Sequence, residues 1–197
     1  MPIDRLSPAV KNTLRASVNV MPESVSVLSA WESFYVIVGS SGGALIGLQF
    51  VVITLISERR SPGTLSALKA FGTPTVVHLT VALAVSAIMS APWASMGRLS
   101  AALIGCGVAG LVYGAVTIWR AVHQTEYQPV WQDWLWYDTL PLVAYLLLAI
   151  GAAMLRGDTP AALFLIATAA LGLLLISIHN AWDTVTHIVF VQNRQEQ

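Results

Sequence analysis

Apolar residues along this chain fall into long unbroken runs, and the polar residues collect between them. The first run covers residues 31–57 and stops at Glu58-Arg59-Arg60, where Ser61-Pro62-Gly63 breaks it. Gly72-Thr73-Pro74 reads as a helix start, with Thr73 as cap and Pro74 in the first turn. It opens a second run over 74–93. Arg98 marks a tight connection to a third run over 99–122. A polar, tryptophan-rich stretch from Gln124 to Tyr137 follows, and Asp138 or Thr139 is expected to cap a fourth run over 139–155. Arg156-Gly157-Asp158-Thr159-Pro160 makes a turn and the next helix start. The fifth run covers 161–187: it is uncharged and plainly apolar to Ile178 and continues as His179-Asn180-Ala181-Trp182-Asp183-Thr184-Val185-Thr186-His187 without a breaker.

Each run is long enough to cross about 30 Å of hydrocarbon at a rise of about 1.5 Å per residue. The alternation of a membrane barrel strand is missing. So is the polar face that a helix in a soluble bundle shows to water. The predicted fold is therefore all-α, an integral membrane bundle of about five transmembrane helices. A polar tail over 1–30, a membrane domain over 31–191 and a short tail over 192–197 complete the expected layout.

Composition agrees with that pattern. Of 197 residues, 56% are hydrophobic and only 10% charged, where a soluble domain carries about 25%. The mean hydropathy is +0.70. With formal net charge +0 and no basic cluster threaded by aromatics, no nucleic-acid partner is indicated; the expected partner is the lipid bilayer of a cell membrane. Residues 1–30 hold no apolar core of signal-peptide length and are punctuated by Pro2, Pro8 and Pro22, so the first span is expected to act as an uncleaved targeting element. The single cysteine, Cys106, can form neither an intrachain disulfide nor a thiolate metal cage.

Five crossings put the two termini on opposite sides, here named A (N-terminal) and B. Lys and Arg divide evenly: Arg5, Lys11, Arg15, Arg98 and Arg156 on A, and Arg59, Arg60, Lys69, Arg120 and Arg194 on B. Residues next to the first span weigh most in setting orientation, and Arg59 and Arg60 abut it. Side B is therefore expected to be cytoplasmic and the N-terminus non-cytoplasmic. Tryptophans favour side B as well. Trp119, Trp131, Trp134, Trp136 and Trp182 lie there, against Trp31 and Trp93 on A, and they read as an interfacial aromatic belt.

Small residues form two ridges. Gly39, Gly43 and Gly47 are spaced four apart in the first span, and Ala102, Cys106, Gly110 and Gly114 make a similar stripe in the third. Such stripes let helices approach closely, either within the chain or between copies in a homo-oligomer. The run Gly39-Ser40-Ser41-Gly42-Gly43 is glycine-rich like a phosphate loop, but it lacks the Lys-Ser/Thr pair and a preceding strand.

The candidate chemistry lies in the fifth span. His179, Asp183 and His187 stand at i, i+4 and i+8 and share one helix face, drifting about 40° and rising about 6 Å per step. By the parity of the crossings, His78, His123, His179 and His187 all fall toward side B. Four readings compete. In the first, His179, Asn180, Asp183 and His187 form a structural polar network at the water boundary. In the second, His78, His179 and Asp183, joined by His187 or Glu126, bind a divalent metal, for which zinc or iron suits the nitrogen and oxygen donors. In the third, Asp183 and His179 relay protons or ions through a vestibule on side B, in an oligomeric conducting protein. The fourth, a haem held between His78 and His179, is the weakest. Catalytic residues are not identified: Ser40 and Ser41 have no histidine assigned to them, and His179-Asn180-Ala181-Trp182-Asp183 does not match the zincin pattern.

Overall fold

The computed structural model describes residues 27–57, 72–123 and 131–195. These residues form an all-helical bundle with five helices long and apolar enough to span a membrane. They are α1 (Glu32–Ser57), α2 (Thr73–Ser90), α3 (Met96–His123), α4 (Leu140–Met154) and α5 (Thr159–Gln195). A helical turn at Trp131–Asp133 and a π-helical segment at Trp134–Thr139 run without a break into α4.

Helix ends follow local chemistry, and some differ from the sequence expectation. α2 stops at Ser90 because Pro92 cannot supply an amide hydrogen to the Ile88 carbonyl one turn back. That carbonyl instead accepts from the Ala91 N–H at 3.2 Å and from the Trp93 indole N–H at 2.5 Å. At the start of α2, Gly72 is the N-cap and Thr73 is already helical, with Pro74 in the first turn. Thr139 stands at the N-cap position of α4, as expected, but its backbone is already helical and its side chain makes no capping hydrogen bond. Asp138 and Thr139 both sit inside the π-helical segment, and the Thr139 hydroxyl donates back to the Trp134 carbonyl at 2.9 Å. α5 is capped by Asp158, whose Oδ1 accepts from the Ala161 N–H at 3.2 Å. It then continues for 37 residues, past the expected end at 187.

Neighbouring helices run antiparallel. In α1 and α2, Gly39 lies against Ser86 and Gly42 against Leu79 and Leu83. In α3 and α4, Gly107 meets Ala149 and Gly114 meets Leu142. In α4 and α5, Gly151 meets Ala162, Leu165 and Ile166. A cross-link of another kind joins α3 to α4: the Ser100 hydroxyl donates at 2.6 Å to the Ala152 carbonyl, one of the last four carbonyls of α4 that have no intrahelical partner.

The core centres on α5. Of its central stretch 56% is buried, against 17% for α1 and for α3, which makes α5 the post and those two the outer staves. Leu79, Val85, Leu103, Leu148, Leu163 and Ile166 are among the side chains that fill the interior. Outward-facing positions are equally apolar: Val112, Phe164 and Leu175 are exposed. A soluble protein rarely shows so much apolar surface, whereas a lipid-facing one must. At the side A end, the Trp31 ring meets Phe164 edge to face, centroids 4.9 Å apart, and so ties the entry of α1 to the entry of α5.

Candidate functional site

Two polar clusters lie in the side B half of the bundle. The outer one joins the π-helical segment to α5. Pro141 explains how it arises. In π-helical register the Trp136 carbonyl faces position 141, and proline has no N–H to offer. The amide of Asn180, fully buried, supplies the missing donor: its Nδ2 lies 3.2 Å from the Trp136 oxygen. The Asn180 Oδ1 is buried without a hydrogen-bond partner.

One residue on, the Tyr137 hydroxyl sits among three oxygens of α5. It lies 3.2 Å from Asp183 Oδ2, 3.3 Å from the Asn180 carbonyl and 3.3 Å from Thr184 Oγ1. Thr184 spends its own proton on the Asn180 carbonyl at 2.7 Å. The single phenolic proton is thus shared, and the carboxylate is the strongest acceptor on offer. Beside this contact the rings of Trp136 and His179 stack at 3.6 Å and 19°. His179 and Asp183 are exposed, while Asn180 and Thr184 are buried. The α5 turn therefore presents its amide and hydroxyl inward and its titratable groups outward.

The inner cluster is His78, Tyr145 and Tyr113, from α2, α4 and α3. His78 is 2% exposed, and its Nδ1 lies 2.7 Å from the Tyr145 hydroxyl. The Tyr113 ring stands nearly perpendicular to the imidazole, centroids 6.1 Å apart. In either tautomer one imidazole nitrogen is left over, since Nε2 has no hydrogen-bond partner. Gly110 makes room for this arrangement. A Cβ there would overlap the Tyr145 ring, so the bare backbone of α3 is the surface on which that ring rests.

Three of the four residues expected to share a metal have other partners. His78 bonds to Tyr145, His179 stacks on Trp136, and Asp183 reaches Tyr137. His187 lies in α5, with its side chain outside the described residues. Among the described residues no three His, Cys, Asp or Glu side chains are grouped to hold an ion. Glu58, Glu126 and the Arg59/Arg60 pair also lie outside the described residues.

The small-residue ridges are likewise divided. Gly39, Gly110 and Gly114 each face a neighbouring helix, and Cys106 is half-buried at the edge of the core. Gly43 and Gly47 have open space where a side chain would be. Gly42, Gly107 and Gly151 carry close contacts that the four-residue spacing does not reveal, since the true contact faces step by three as well as four. Of the belt tryptophans, Trp119, Trp131 and Trp182 are well exposed, whereas Trp134 and Trp136 are half-buried. Sequence spacing alone also passed over Tyr137 and Tyr145. The one signal for the former was Pro141, placed to strip a donor from the turn before it. Comparison with protein-family models, with curated proteins and with solved structures found no match to the chain.

Proposed function

We propose that this protein is a multi-pass membrane protein whose histidine and aspartate cluster near side B is a structural polar network, locking the π-helical entry of α4 onto α5 at the membrane boundary. The observation that carries this reading is the Tyr137 hydroxyl held among Asn180, Asp183 and Thr184. The Asn180 bond to the Trp136 carbonyl supports it, because that bond fills a backbone vacancy created by Pro141. On this reading the chain serves as a helical scaffold or subunit in the bilayer. Elemental analysis of the detergent-purified protein tests it. The expected result is zinc and iron well below one atom per chain, with Tyr137→Phe lowering the thermal midpoint and His179→Ala, which removes an exposed ring stacked on Trp136, lowering it less. One zinc or iron per chain, lost in His179→Ala, would overturn it.

A second reading, uptake of protons from side B, has one observation in its favour: the buried His78 keeps an unpaired nitrogen beside Tyr145. Ionisable groups inside a membrane domain commonly mark proton pathways. It requires proton flux into liposomes carrying the wild-type protein and loss of that flux in His78→Gln. Wild-type liposomes that hold their gradient leave the structural reading alone.

A further inference from the structure

Gly39 and Gly42 of α1 face α2, while Gly43 and Gly47 lie open on another face of the helix. Between the later part of α1 and α5 lies a groove of about 230 Å³, open on one side. Leu45, Leu48 and Val52 form one wall, Ile178, Ala181 and Val185 the other, and Leu79 of α2 contributes at the base. Ser177 lines it too, but its hydroxyl is spent on the Leu173 carbonyl at 2.7 Å. Gln49 is half-buried in the α1 wall, and Trp182 lines the groove near side B and is 72% exposed.

Three properties decide what fits. The first is direction. The lining runs along α5 from Ser177 to Val185 and along α1 from Leu45 to Val52, about 12 and 10 Å of helix axis, so the groove lies parallel to the helices and hence to lipid tails. The second is width. A helix about 10 Å across would displace roughly 900 Å³ over that length, more than all the empty space between the walls, about 630 Å³ with the open side counted, whereas a single hydrocarbon chain is narrow enough. The third is polarity. The walls are almost wholly apolar, and the exposed indole of Trp182 marks the level where headgroups begin. Where the groove lies inside the hydrocarbon layer, leaving it unfilled forfeits dispersion contacts along its lining.

We propose that this groove is a lipid-binding site that seats one acyl chain of a phospholipid from the side B leaflet, held longer than the lipid that merely surrounds the bundle. It goes beyond the structural role of the His/Asp cluster and uses none of its residues. Since lipid tails are as apolar as the walls, the preference comes from close packing and not from the hydrophobic effect.

The test uses full-length protein in nanodiscs of phosphatidylcholine containing a fraction with a diazirine in the acyl tail. After illumination the adducts are mapped by peptide mass spectrometry. The expected map concentrates label on segments 45–52 and 177–185, several-fold above the exposed faces of α3 at Val108 and Val112 and of α5 at Phe164. Ala181→Trp, which fills the groove, brings those two segments down to the α3 level. Leu48→Trp serves the same purpose if that variant fails to fold, and the wild-type map stands without either. Label spread evenly over all exposed faces would overturn the proposal. So would the two segments shielded from label in a protein that runs as a dimer, which would give the groove to a second copy.

Discussion

Prolines 92 and 141 each take an amide hydrogen away from a carbonyl about one turn earlier, and in each case a side chain makes up the loss. At Ile88 the Trp93 indole joins the Ala91 N–H, and at Trp136 the Asn180 amide steps in. Toward the lipid this repair matters more than in water, since fewer waters are at hand to solvate a stranded carbonyl. It follows that Asn180 matters through its Nδ2 and not through polarity in general. Asn180→Leu strands the Trp136 carbonyl and should cost about 1 kcal/mol. Pro141→Ala restores a backbone N–H close to that carbonyl, so the double variant should recover part of the loss. Unfolding by a denaturing detergent, followed by far-UV circular dichroism, gives the four values of the cycle; strictly additive losses would show that the two residues do not share an acceptor. The unpaired Oδ1 of Asn180 sharpens the expectation, because a leucine removes that uncompensated group along with the useful one.

At the scale of helices, packing turns on which glycines face a partner. Gly110 supports the Tyr145 ring and has no room for a methyl group, whereas Gly43 has open space. Gly110→Ala should therefore lower stability by about 1–3 kcal/mol through overpacking. Gly43→Ala should stay within about 0.5 kcal/mol of wild type. Thermal midpoints of the two variants in one detergent decide the matter, and equal shifts would refute the assigned contact faces. This contrast also shows where the sequence is legible. The five spans could be read from length and missing charge, because hydrocarbon thickness imposes both. The rotation of each helix about its axis could not, because core and lipid are equally apolar and leave no polar face to mark the outside. Gly39 and Gly43 look alike in sequence, and only the approach of α2 separates them. The outer cluster was half-visible for the same reason. The face shared by His179 and Asp183 followed from spacing, but its partners in the π-helical segment depend on how α4 meets α5. Asp138 and Thr139 looked like cap residues; Thr139 does stand at the N-cap position of α4, but the π-helical segment before it is already helical and no side-chain cap forms.

For the whole molecule, antiparallel pairing of successive helices gathers the start of α2, the end of α3, the start of α4 and the later part of α5 at one end. His78, His123 and His179 share that half, and the core of the opposite half is mostly aliphatic. The bundle is thus chemically lopsided, with His78, Tyr137 and their side-chain partners on side B and the Ser100–Ala152 hydrogen bond and the Trp31–Phe164 contact on side A. Which compartment meets the polar half follows from orientation. Arg59 and Arg60 beside α1 argue for a cytoplasmic side B. Alkaline phosphatase and green fluorescent protein fused in turn to each terminus should show phosphatase activity only at the N-terminus and fluorescence only at the C-terminus; the reverse pattern inverts the assignment.

α5 is 37 residues long, about 55 Å of continuous helix, while the hydrocarbon layer is about 30 Å thick. Its capped start at Asp158 fixes where that length begins. The surplus must emerge on side B, so the central post of the bundle ends as a mast in the headgroups or the water beyond. A mast joined rigidly to the core turns any tilt of the post into a sideways sweep of its tip. Each residue inserted between it and a reporter would rotate the reporter by about 100°. A rigidly attached probe at this end would therefore read motions of the buried core from outside the membrane.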